Sequence, residues 1–181
     1  TEFPPSWGSS YFEMADFNGD GFPDLLATNG DNGDLTTLPA PYKKYHGVRI
    51  FMNDGKNQFK EAWFFGMNGA YKAMARDFDN DGKLDIAAIS FFPDYLHSPR
   101  ESFIYFENKG GKGKLDFKPS SIPESFSGRW MTMDVGDLDG DGKIDIVLGA
   151  FNNGPGFVPS GLKEGWKTMG SPLLILKNTR R

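Results

Sequence analysis

Cysteine is absent from the 181 residues, which excludes disulfides and thiolate metal sites. Histidine occurs only as His46 and His97, far apart in the chain, so a zinc site has no ligand spacing to rest on. No stretch approaches the roughly eighteen consecutive apolar residues of a membrane span, and no run of lysine or arginine marks a nucleic-acid groove. Nucleophile elbows, phosphate loops and dinucleotide fingerprints are missing too. Beginning at Thr1 with no methionine or leader-like segment, the chain reads as a processed product or an excised piece. What abounds is glycine (23), proline (12) and phenylalanine (17). That composition favours many short strands joined by turns over long helices.

The same nine-residue loop, Asp-x-Asp/Asn-x-Asp-Gly-x-x-Asp, occurs at 16–24, 77–85 and 137–145. Oxygen donors at alternate positions, with a glycine that folds the chain back, are what a hard cation such as Ca²⁺ requires. The candidate ligands are Asp16, Asn18, Asp20 and Asp24, then Asp77, Asp79, Asp81 and Asp85, then Asp137, Asp139, Asp141 and Asp145. Position twelve is Ala27, Ala88 and Leu148, which excludes an EF-hand, whose loop closes on a glutamate there. The loops hold eleven of the 24 carboxylates. Three bound Ca²⁺ would bring the formal charge of −4 to near +2, so the acidity is no argument for a basic partner.

Each loop follows a short alternating segment (11–15, 72–76, 132–136) and precedes an apolar run (25–27, 86–89, 146–149). These runs are too short for helices and are bounded by turn residues, which predicts strands. A third strand ending in asparagine follows in each period, at 48–53, 103–108 and 173–178. A fourth comes only in the first two, at 58–63 and 115–118. Four antiparallel strands per period is the anatomy of a propeller blade. The expected fold is therefore an all-β propeller with three blades in this chain, in repeats of approximately 7–66, 67–126 and 127–181. Residues 2–6 resemble 116–120, and residues 1–6 are expected to supply a displaced fourth strand. Three blades cannot close a ring of the usual four to eight. Closure is expected from a homodimer making six blades, or from the remainder of a longer chain.

The strand-flanked acidic loops, recurring in register over nearly the whole chain, resemble the FG-GAP/VCBS repeats, the calcium-binding β-propeller repeats also found in integrin α-subunit heads. The resemblance implies three structural Ca²⁺ ions held by positions one, three, five and nine. It adds a backbone carbonyl from each of Phe22, Lys83 and Ile144. Asn18 gives the first loop a formal ligand charge of −3 against −4 in the others, so weaker binding is expected there.

In such blades the long insertions 28–47, 90–102 and 150–172 fall on the face opposite the acidic loops. Long loops on a rigid scaffold tend to carry function. Trp7, Tyr45, His46, Tyr71, Tyr95, His97, Arg100, Arg129, Trp130 and Trp166 are the candidate ligand residues there. Aromatic platforms beside polar groups suit a carbohydrate or a protein partner; the bland alternative is that these rings pack the insertions down. The leading expectation is a non-catalytic binding module, secreted, periplasmic or at the cell surface, where Ca²⁺ is abundant. A polysaccharide lyase or hydrolase is the alternative, with Glu13 and Asp134 as an acid–base pair. A purely structural or assembly segment of a larger protein is the third reading.

Overall fold

The structure is a computed structural model that describes residues 4, 7–32, 43–111 and 113–180. Its eleven strands form three antiparallel sheets in chain order. The first contains β1 (Ser9–Ala15), β2 (Asp24–Asn29), β3 (Gly47–Asn53) and β4 (Phe59–Gly66). The second contains β5 (Ala70–Arg76), β6 (Asp85–Ser90), β7 (Phe103–Asn108) and β8 (Phe117–Ser120). The third has β9 (Trp130–Gly136), β10 (Asp145–Ala150) and β11 (Leu173–Leu176). Neighbours in sequence are neighbours in each sheet, and the sheets do not close on one another. These are blades of a partial propeller. Of the segment read as a displaced strand, only Pro4 is described, and it lies outside any strand.

Sheets meet through their first strands, with β5 against β1 and β2, and β9 against β5 and β6. The second sheet is therefore covered on both faces. Every residue of β6 is buried, which is why that strand reads as a continuous run (Ile86, Ala87, Ala88, Ile89) and not as an alternation. Ala73, Ala88, Ile104 and Phe106 turn towards the first sheet and its Leu26, Val48 and Ile50. Met74, Ala87, Ile89 and Phe103 turn towards Trp130, Met133 and Leu148 of the third. Near the rim of the first junction, Trp63 lies edge-on to Phe106 with centroids 5.4 Å apart, and 4.8 Å from Phe117. Such aromatic pairs add about 0.5–1.5 kcal/mol beyond the area they bury.

The outward faces of the end sheets are different. Leu173 and Ile175 are 53% and 49% exposed. By ladder register they match Val48 and Ile50 of β3, and Phe103 and Tyr105 of β7, which face the next sheet. Leu138 is likewise exposed where Phe17 and Phe78, in the same loop position, are buried. Phe12 and Met14 of β1 are exposed at the other end.

Sequence patterning missed an α-helix. Within the third insertion lies a helix, α1 (Ser160–Met169). It is anchored by Trp166, which packs with Tyr95, Val158 and Leu162.

Candidate metal centres and the insertion face

Every acidic loop joins the first two strands of its sheet, and all three share one hydrogen-bond pattern. The position-one carboxylate collects the backbone of its own turn. Asp16 accepts from Gly19 N (2.8 Å) and Gly21 N (2.8 Å), Asp77 from Asp81 N (3.0 Å) and Gly82 N (2.9 Å), Asp137 from Gly140 N (2.8 Å) and Gly142 N (2.9 Å). Burial raises the Asp16 carboxyl, but the N–H donors outweigh it and hold the group below the usual carboxylate range. Position five accepts from the N–H of position seven, Asp20 from Phe22 (2.8 Å), Asp81 from Lys83 (3.0 Å) and Asp141 from Lys143 (3.0 Å).

That pattern corrects one expectation. The residue equivalent to Phe22 and Lys83 is Lys143, and Ile144 lies one place too far along. The Ile144 carbonyl is already used, accepting from Asn178 Nδ2 (3.3 Å), just as Pro23 accepts from Asn53 (3.0 Å) and Leu84 from Asn108 (3.1 Å).

Position-six glycine is required for its backbone. Gly21, Gly82 and Gly142 have φ of 88°, 84° and 82°, a region that costs other residues about 1–2 kcal/mol. A side chain at Gly82 would meet nothing within 4 Å, so the demand is conformational and not steric. Gly82→Ala should thus lower stability by about 1–2 kcal/mol in a urea titration. An unchanged midpoint would show that the turn relaxes.

Position nine binds the loop to the body of its blade. Asp24, Asp85 and Asp145 open the second strands and are buried. Asp24 accepts from Phe17 N and Asn53 N (both 2.9 Å). Asp145 repeats this with Leu138 N (3.2 Å) and Asn178 N (2.8 Å). Asp85 accepts from Asn108 N (2.8 Å) and from the Tyr105 hydroxyl (2.6 Å). Burial pushes the Asp24 and Asp85 carboxyls above the usual range; the backbone donors offset part of this, and neighbouring loop carboxylates add to the rise. The partner asparagines then cap the next turn, Asn53 Oδ1 accepting from Gly55 N and Asn57 N (both 3.1 Å). Sequence reasoning saw these asparagines end the third strands and gave them no role. Their recurrence at 53, 108 and 178 was the available signal.

Carboxylate oxygens of Asp77, Asp79 and Asp85 lie within 4.8 Å of one another, as do those of Asp137, Asp139 and Asp145. Both groups could hold a metal ion, and an all-oxygen set suits a hard cation. Basic side chains gather around them. Lys83 pairs with Asp81 (2.8 Å), Lys177 with Asp139 (2.5 Å) and Arg180 with Asp79 (2.5 Å). In the first loop Asn18 donates to Asp20 (2.8 Å) instead.

On the opposite face the ten expected ligand residues separate into two groups. His46, Tyr95, Arg129, Trp130 and Trp166 are buried. Trp130 donates its indole N–H to the Ser125 carbonyl, and Trp166 to that of Phe126. The Trp7 ring lies 4.2 Å from the Arg49 guanidinium, which also donates to the Tyr45 carbonyl (2.8 Å). Arg100 is exposed, and His97, also exposed, pairs with Asp94 (2.8 Å). Tyr71 lines a cleft of about 390 Å³ with Ser9, Asp31, Phe92, Phe151 and Pro155. Phe151 escaped the sequence reading because no spacing distinguishes it from a packing residue. Glu13 accepts from Ala75 N (2.7 Å) and bridges to Arg76 (2.7 Å), joining two blades.

Serial antiparallel sheets, each opened by an acidic loop between its first two strands, define a propeller-type repeat protein. The FG-GAP-like repeat model matches residues 16–88 and again 77–148, each match running from one acidic loop into the second strand of the next sheet. The chain belongs to the FG-GAP-like repeat family. Comparison with curated proteins gives no match. Among the described residues no helix is long and apolar enough to cross a membrane.

Proposed function

We propose that this chain is a calcium-stabilised, extracellular binding module that engages a carbohydrate or protein ligand on its insertion face without turning it over. Calcium would be held by positions one, three, five and nine of each loop, with the carbonyl of Phe22, Lys83 or Lys143. Bound there, the ion neutralises the carboxylates and ties the first two strands together. The oxygen clusters already formed at Asp77, Asp79 and Asp85 and at Asp137, Asp139 and Asp145 support this reading.

The ligand assignment is carried by one observation, the cleft where Tyr71, Phe92 and Phe151 stand beside Ser9 and Asp31. Flat apolar rings next to hydrogen-bonding groups match the two kinds of surface that a sugar presents. A glycan array read beside turnover assays tests it. Binding without product is expected; product release would instead assign an enzyme, and silence in both would leave an assembly role.

The exposed end faces are completed by further sheets of the same repeat, and for this chain alone the occupant is a second copy. Leu173 and Ile175 stand where the other blades bury Val48, Ile50 and Phe103, and half-bury Tyr105, against a neighbour. Light scattering should therefore give a dimer, and Leu173→Asp with Ile175→Asp should convert it to monomer. A well-folded wild-type monomer would refute this closure.

A further inference from the structure

Arg129 is 1% exposed and is positioned between two cavities. Its Nε donates to the Phe91 carbonyl (2.9 Å) and its Nη2 to the Pro155 carbonyl. The guanidinium lies on the rings of Phe91 (3.9 Å) and Phe92 (5.1 Å). Nη1 is buried and has no hydrogen-bond partner among the described residues. A guanidinium remains charged in proteins, and a buried charge without a counter-ion is costly.

What lies over Nη1 is informative. A methyl group at position 154 would sit 3.0 Å from it, so the bare backbone of Gly154 separates this nitrogen from the pocket above. That pocket, about 340 Å³, is lined by Asn152, Asn153, Gly154, Lys163, Trp166 and Lys167. No carboxylate is among these described lining residues. Lys167 reaches Glu164 on its own helix (2.7 Å), while Lys163 has no ion pair among the described residues. The spacing of four places both lysines on one face of α1. On the other side of Arg129, Phe91, Phe92 and Pro155 line the aromatic cleft.

We propose that the pocket between residues 152–154 and α1 is an oxyanion subsite, and that the ligand of the insertion face is an acidic oligosaccharide. One sugar ring lies in the aromatic cleft, and a carboxylate or sulfate on the chain enters the pocket. There Lys163 and Lys167 bind it directly, with Arg129 supplying a fixed positive charge beneath. This inference rests on the carbohydrate reading of the cleft and narrows it to charged sugars.

Calorimetry with the Ca²⁺-loaded protein tests it, using a galacturonate hexamer, a neutral galactose hexamer and a sulfated galactose hexamer. The expected result is at least tenfold tighter binding of a charged hexamer at low salt, with the preference shrinking as salt rises. The tighter of the two charged hexamers identifies the oxyanion. Lys163→Gln with Lys167→Gln should abolish the preference and leave the melting temperature unchanged, because both side chains are exposed. Equal affinity for charged and neutral hexamers would overturn the oxyanion subsite while sparing the carbohydrate reading. A preference that survives the double substitution would overturn its placement. A glutamate hexapeptide binding as tightly would overturn the sugar assignment, and no binding of any hexamer would overturn both readings together.

Discussion

Removing calcium should lower the melting temperature of this protein by many degrees. An ion that binds only the folded state stabilises it by about 2.7 kcal/mol at a hundredfold excess over its dissociation constant. For a chain of this size each kcal/mol moves the midpoint by roughly 2–4 °C, so one filled loop accounts for about 5–10 °C. Three loops would exceed that if their effects add. The physical source is the cluster of carboxylates within 4.8 Å of one another in the second and third loops, whose mutual repulsion a divalent ion cancels. Scanning calorimetry in calcium and in chelator is the measurement, with magnesium as control because its small shell fits such loops poorly. A melt indifferent to chelator would sink the calcium assignment. Within the set, the first loop should release its ion most readily, and Asn18→Asp should tighten it.

The second large effect separates the carboxylates that bind the ion from those that also build the blade. Asp85→Ala should destabilise the protein by several kcal/mol even without calcium. It strands the Asn108 N–H and the Tyr105 hydroxyl, which Asp85 accepts at 2.8 and 2.6 Å, and each orphaned donor costs about 1–3 kcal/mol. Asp79→Asn, on the less buried side of the same cluster, should weaken metal binding and cost the metal-free protein only the half-exposed Arg180 pair, about 0–1 kcal/mol. Urea titrations of both variants in chelator make the comparison. If the two were equally stable without metal, position nine would be a ligand and nothing more.

Much of this architecture is legible in one dimension because it repeats. A loop that recurs at 16, 77 and 137 acts as a ruler, and strands placed relative to it fall within a few residues of the observed ones. Applied consistently, it also gives the third carbonyl as Lys143, position seven of the loop that opens at Asp137, and the expectation at Ile144 was one place off. The ruler says nothing of the insertions, and helix α1 was hidden there. Gly161 and Gly165 weaken its helical signal, each costing about 1 kcal/mol relative to alanine. Tertiary burial of Trp166 against Tyr95 and Val158 holds it in place.

The insertion face shows the same division. Arg129 and Trp130 look alike to a reader of sequence, as exposed binding groups or as packing. In the fold Trp130 closes the junction between the second and third blades, while Arg129 is buried with one nitrogen unpartnered among the described residues. Local sequence determined the blades, the acidic loops and their register, because period and oxygen spacing are properties of neighbouring residues. Tertiary structure alone decided which carboxylates are buried, which insertion residues face solvent, and that Arg129 lies beneath Gly154. Those depend on segments tens of residues apart meeting, and burial is set by what arrives from elsewhere in the chain.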